Sequence, residues 1–159
     1  MKKYIITGVL AVIILPVAWY LISPVWNVQE VDEVFPAAPM SNESAEHEQA
    51  VQSISQPTVR AQGAFVTHAH EVQGTAKLIE QGDVRTLRFE DFETINGPDL
   101  HIYLATDISA KEHIDLGKIR GTKGNINYTL PASIDTKTYD TVLVWCVPFR
   151  VLFSAAELQ

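Results

Sequence analysis

Apolar and polar residues follow three different patterns along the chain. From Tyr4 to Ile22 no charged residue occurs, and only Thr7, Gly8 and Pro16 break the apolar character. A helix of that length spans a bilayer at about 1.5 Å per residue. From Val28 to about Gln62 the composition turns to Glu, Gln, Ser, Ala and Pro, with Pro36, Pro39 and Pro57 as breakers. Such a stretch buries too little apolar surface to order itself and predicts a disordered tether, with an r.m.s. span on the order of 30 Å. Beyond Gly63 short apolar alternations recur between turn residues, with no sustained 3.6-residue period. The expected fold class is therefore all-β, a compact β-sandwich or barrel-like domain of short strands after an N-terminal transmembrane helix. The expected organisation is an anchor over 1–27, a tether over 28–62 and a β domain over 63–159.

Within that domain the alternation predicts strands at Ala64–His70, Gly74–Glu80, Val84–Phe89, Leu100–Ala105 and Asn125–Leu130. Gln81-Gly82-Asp83 reads as a hairpin turn and Asn96-Gly97-Pro98-Asp99 as a second tight turn. Thr106–Arg120 is polar, with one helical turn expected around Ala110–His113. The densest apolar run, Val142 to Phe153, predicts a spine strand whose odd positions (Leu143, Trp145, Val147, Phe149, Val151 and Phe153) face the core. Pro148 has no N–H for a ladder and predicts a bend two residues after Cys146.

Charge sets compartment and orientation. Lys2 and Lys3 precede the apolar run, while Glu30, Asp32 and Glu33 follow it. The positive-inside rule then puts the N-terminus in the cytoplasm and the domain outside, as a single-pass plasma-membrane protein. Ser23-Pro24-Val25-Trp26 is no small-x-small cleavage site, and the run exceeds the ~7–15 residues of a signal peptide. Trp19, Tyr20 and Trp26 suit the aromatic belt of the outer interface. The formal charge of −7 argues against nucleic acid, which needs a basic face to displace counterions.

Cys146 is the only cysteine, an odd count for an oxidising compartment where cysteines normally pair. No intrachain disulfide can form, so Cys146 is either a small buried hydrophobe or a working thiol. Arg150, four residues on, is placed to favour a thiolate if the strand bends at Pro148. His68 and His70, two apart on the expected first strand, would project from one face at metal-bridging spacing, yet two ligands need a third. Copper with Cys146 as that third ligand lacks an axial Met, since the only methionines are Met1 and Met40. Covalent haem is disfavoured by the absence of Cys-x-x-Cys-His, while a noncovalent haem held by Cys146, His68, His70, His101 or His113 stays open. No phosphate loop and no defensible Ser-His-Asp order is present, which leaves a redox or electron-transfer component as the enzymatic possibility.

Several stretches in order, Gly63-Ala64-Phe65 with His70 and Gly74, Leu87-Arg88-Phe89-Glu90-Asp91-Phe92, Asn96 through Leu104, Leu116-Gly117, Gly121, Gly124 through Tyr128, and Val144-Trp145-Cys146 with Phe149 and Phe153, resemble the DM13 domain family. The resemblance covers about Gly63 to Leu158. It implies a compact β-rich domain of cell-surface and secreted proteins, for which electron transfer is proposed through a cysteine acting as a bare thiol or as a haem ligand. Cys146 matches that cysteine by position and by its neighbours Trp145 and Phe149. The expected function is a membrane-tethered extracytoplasmic redox module that meets a redox or cell-surface protein partner. The alternative is a noncatalytic interaction module in which Cys146 only packs.

Overall fold

The computed structural model describes residues 12, 14–16, 28–36 and 56–159. Among the described residues, ten strands form two open five-stranded sheets. They are β1 (Glu30–Asp32), β2 (Thr58–Ala64), β3 (Val66–Thr67), β4 (Val72–Gln81), β5 (Val84–Thr94), β6 (Leu100–Ala105), β7 (His113–Lys118), β8 (Lys123–Leu130), β9 (Thr141–Cys146) and β10 (Val151–Glu157). The first sheet runs β1-β8-β5-β4-β2 and the second β3-β10-β9-β6-β7. The fold is all-β as the alternation predicts, a sandwich rather than a closed barrel.

The expected hairpin closes on Gly82-Asp83, where Gly82 takes φ +58°. Both of its strands run longer than expected because they carry a paired irregularity. Gly74 (φ +108°) and Asp91 (φ +49°) lie where the ladder slips. A Cβ on Gly74 would sit 2.6 Å from the Glu90 carbonyl oxygen, so the close approach requires glycine. The extra residue resets the side-chain parity, and Phe89 and Phe92 both point inward although three positions apart. They meet Phe65 edge-on at ring separations of 5.0 and 5.2 Å and form the centre of the core with Leu87, Ile102, Ile126 and Val144.

The expected spine strand is instead a hairpin. β9 ends at Cys146, residues 147–150 turn, and β10 returns antiparallel, pairing Val151 with Cys146. Pro148 and the left-handed Arg150 (φ +53°) make the turn, and the Arg150 N–H donates to the Val147 carbonyl. The facing assignment also changes. The even positions Val142, Val144 and Cys146 enter the main core, whereas Leu143, Trp145 and Val147 join a second apolar cluster with Tyr103, Ala105 and Ala155. Alternation carries no sign when both faces of a strand are covered. Two further expectations are corrected. Residues 68–70 form a bend after β3 and not the end of a strand, and the polar stretch holds edge strand β7 in place of a helical turn.

Parts of the stretch expected as tether lie in the first sheet. β2 begins at Thr58, and β1 adds in parallel to β8. A Cβ on Gly124 (φ +109°) would overlap the Val31 carbonyl, and one on Gly121 would lie 2.8 Å from Val31 Cγ2. Beyond β1, Arg88 holds the strap. Its guanidinium, 6% exposed, donates to the carbonyls of Glu33 (2.9 Å) and Val34 (3.3 Å), to Asn127 Oδ1 (3.0 Å) and to Glu90 Oε1 (3.0 Å). The Phe35 ring covers it at 5.4 Å. The remainder of the expected tether, 37–55, and nearly all of the expected anchor lie outside the described residues. Among the described residues no helix is long and apolar enough to cross a membrane.

Candidate functional site

Three pieces of chain converge on Cys146 at one end of the sandwich. The β5–β6 turn arrives through Asn96, whose Oδ1 accepts the Gly97 N–H at 2.9 Å. Leu100 pairs with Cys146 across β6 and β9, and the Asp99 carbonyl accepts the Val147 N–H at 3.0 Å. β10 brings Val151 and Phe153, and the bend after β3 brings His70, whose ring lies 4.1 Å from that of Phe153. Between them is a cleft of about 350 Å³, lined by His70, Asn96, Pro98, Cys146, Phe149 and Phe153 among others. Cys146 itself is 0% exposed and forms part of the cleft wall. Cys146 therefore belongs both to the main core and to the lining of an apolar notch, with no water-accessible surface of its own.

Of the residues singled out from sequence, Cys146 and His70 share this cleft. His68 does not. It lines a separate cleft of about 420 Å³ with Val66, Asp107, Asp140 and Glu157. The two-apart spacing fails because residues 68–70 bend. Among the described residues, no group of three or more His, Cys, Asp or Glu is gathered as a metal centre requires. Arg150 is exposed and is not among the residues lining the Cys146 cleft.

A haem does not fit this cleft. Cys146 and His70 are suitable iron donors, but the volume of about 350 Å³ is near the bottom of the ~300–1,000 Å³ range of small-molecule sites. Among the lining residues, no Lys or Arg is present to meet propionates.

Beside the cleft, on the outer face of the second sheet, His101 sits between two carboxylates. Its Nδ1 lies 2.8 Å from Asp115 Oδ2, and its Nε2 lies 3.5 Å from Asp99 Oδ1. Lys118, 2.9 Å from Asp99, holds that carboxyl below its ordinary range, helped by His101. Tyr103 stacks on His113 at 4.1 Å and on Trp145 at 6.1 Å. Burial and the Asp115 and Asp99 charges push its phenol up, so it stays neutral at physiological pH. Asp99 follows Pro98, which lines the cleft, so this network lies next to the cleft's rim.

The cleft walls Ile95, Phe149 and Phe153 were not predictable as a group, because they come together only through the 147–150 turn. The signal for that turn was Pro148, read as a bend and not as a reversal. Arg88 was also missed, because between Leu87 and Phe89 the two-residue period puts it on the solvent face, and what buries it there is the 33–35 segment.

An open two-sheet sandwich whose single cysteine walls an apolar end cleft defines a single-cysteine β-sandwich module. A family model described as electron transfer DM13 matches residues 64–158. The chain belongs to that family. Neither a curated protein nor a solved structure matches it.

Proposed function

We propose that this protein is a membrane-tethered extracytoplasmic redox module in which the Cys146 thiol is the reacting group. Membership of an electron-transfer family supports a redox role. The observation that supports the thiol reading is the apolar cleft, whose lining includes both the buried Cys146 and His70. An unpaired thiol has two balanced outlets. It passes one electron to an acceptor and its proton to a base, or its thiolate attacks a partner disulfide, forming a mixed disulfide and expelling a thiol. His70 is the cleft residue able to take a proton in either case. Tethering rests on the apolar run Tyr4–Ile22 and on the flanking charges that put the domain outside. The −7 charge argues against nucleic acid as the partner.

The test is disulfide exchange by the folded protein. Incubation with oxidised glutathione under native conditions is expected to give one glutathione adduct per chain by intact mass, reversed by excess reduced glutathione and absent in Cys146→Ser. A folded chain that takes up no glutathione while its denatured form does would contradict the proposal. The second reading, a noncatalytic interaction module, is favoured by the 0% exposure of Cys146 and its place among Leu100, Val144 and Phe153. Under that reading Cys146→Ala changes stability alone.

A further inference from the structure

We infer that the Cys146 cleft opens toward the bilayer, so that its reaction partner is an apolar molecule dissolved in the lipid phase. The inference rests on the tethered redox reading above and adds a direction to it.

The strap decides the direction. A free tether would leave the domain's orientation open, but residues 29–33 are bonded to the first sheet. From Ile22, the end of the apolar run, to Val28 there are six peptide steps, which reach at most about 20 Å fully extended. The end of the sandwich where Val28 lies is therefore the end nearest the membrane.

The same end carries the cleft. The Gln29 N–H donates to Thr122 Oγ1 (2.9 Å) and the Gln29 carbonyl accepts the Thr122 N–H (2.8 Å). The Thr122 carbonyl in turn accepts the Thr94 N–H (2.9 Å), and the next residues, Ile95 and Asn96, line the Cys146 cleft. Ile95 and Asn96 also line the neighbouring hollow that contains Val28. The chain's point of entry and the cleft rim are thus two sides of one turn.

The rim has the chemistry of an interfacial surface. Phe149 is 67% exposed, Val28 66% and Ile95 42%, with Pro98 also exposed. Exposed Arg150 flanks Phe149, a cation beside an apolar tip, as suits lipid headgroups. Of the acidic groups at this end, Glu71 and Glu93 line the Val28 hollow, and Asp99, next to Pro98, is paired with Lys118 at 2.9 Å; none of the three lines the cleft. An apolar cleft opening through such a rim admits an uncharged lipid-soluble reactant more readily than a hydrated ion.

The test uses the full chain in phosphatidylcholine vesicles. In a Cys146→Ser background a fluorophore is attached through Phe149→Cys, and in a separate variant through Asp83→Cys. Asp83 is in the turn before β5, whose ten steps from Val84 to Thr94 put it about 33 Å from the cleft end. Lipid-borne nitroxide quenchers are expected to quench the label at 149 at least threefold more than the label at 83. A maleimide carried on a lipid headgroup is expected to modify Cys146 in the wild-type chain. Equal quenching at the two positions, or none at 149, overturns the inference whatever the thiol does. Strong quenching at 149 with a Cys146 inert to every reagent upholds the orientation and sinks the redox reading instead.

Discussion

Arg88→Leu is expected to destabilise the protein by about 3 kcal/mol and to release the strap, seen as lost hydrogen-exchange protection at the Glu33 amide. Breaking a buried charged pair from one side costs roughly 3–5 kcal/mol, because the groups left behind keep their desolvation cost. Arg88 leaves four acceptors short, the carbonyls of Glu33 and Val34, Asn127 Oδ1 and Glu90 Oε1. The lower end of the range applies because Glu90 retains Lys77. The pH dependence changes with it. Glu90 is held below its ordinary 4.5 by the Lys77 hydrogen bond first and by Arg88 after it, against the opposing effect of burial. A depressed carboxyl contributes stability that is present above the unfolded value and is lost as pH falls through the folded one. The wild type should therefore lose stability from about pH 4.5 downward more steeply than Arg88→Leu, as urea midpoints at each pH will show. Protection lost equally across β4 and β6 would mean that Arg88 supports the whole sandwich and not the strap.

Phe153→Ala should cost about 3–5 kcal/mol and also widen the Cys146 cleft. Phe153 is 4% exposed, part of the main core, and the ring on which His70 rests. Destabilisation alone speeds thiol labelling, since about 3 kcal/mol raises the unfolded fraction roughly 150-fold. Phe89→Ala is the control, because Phe89 is 0% exposed, sits in the same core and does not line the cleft. It should cost a similar amount. Once each labelling rate is divided by the measured unfolded fraction, Phe153→Ala is expected to label Cys146 at least tenfold faster than Phe89→Ala. Equal corrected rates would mean that the cleft gives the sulfur no route.

The parts of this fold legible from sequence are those with one wet and one dry face. The Gly82-Asp83 hairpin and β6, with Leu100, Ile102 and Leu104 inward, follow directly from period two. β7 was hidden because an edge strand needs few apolar residues, and only Ile114 and Leu116 pack against the core. The strap was hidden for a different reason. Its Glu30-Val31-Asp32-Glu33 is as polar as any linker, and what orders it is a buried arginine and two glycines about 55 to 95 residues away. At the site, Cys146 was found by its count and its neighbours. Its cleft was not, since a cavity is made by the path of the chain at 95–99 and 147–150 and leaves no periodic trace.

The central claim is that Cys146 reacts from the native state, and the alkylation rate of the wild-type thiol as a function of urea tests it most directly. Reaction through the cleft predicts a measurable rate in buffer that stays flat across low urea and rises only as the unfolding transition begins. A rate that climbs exponentially from the first addition of urea, with the full slope of global unfolding, would show that the sulfur is reached only when the sandwich opens.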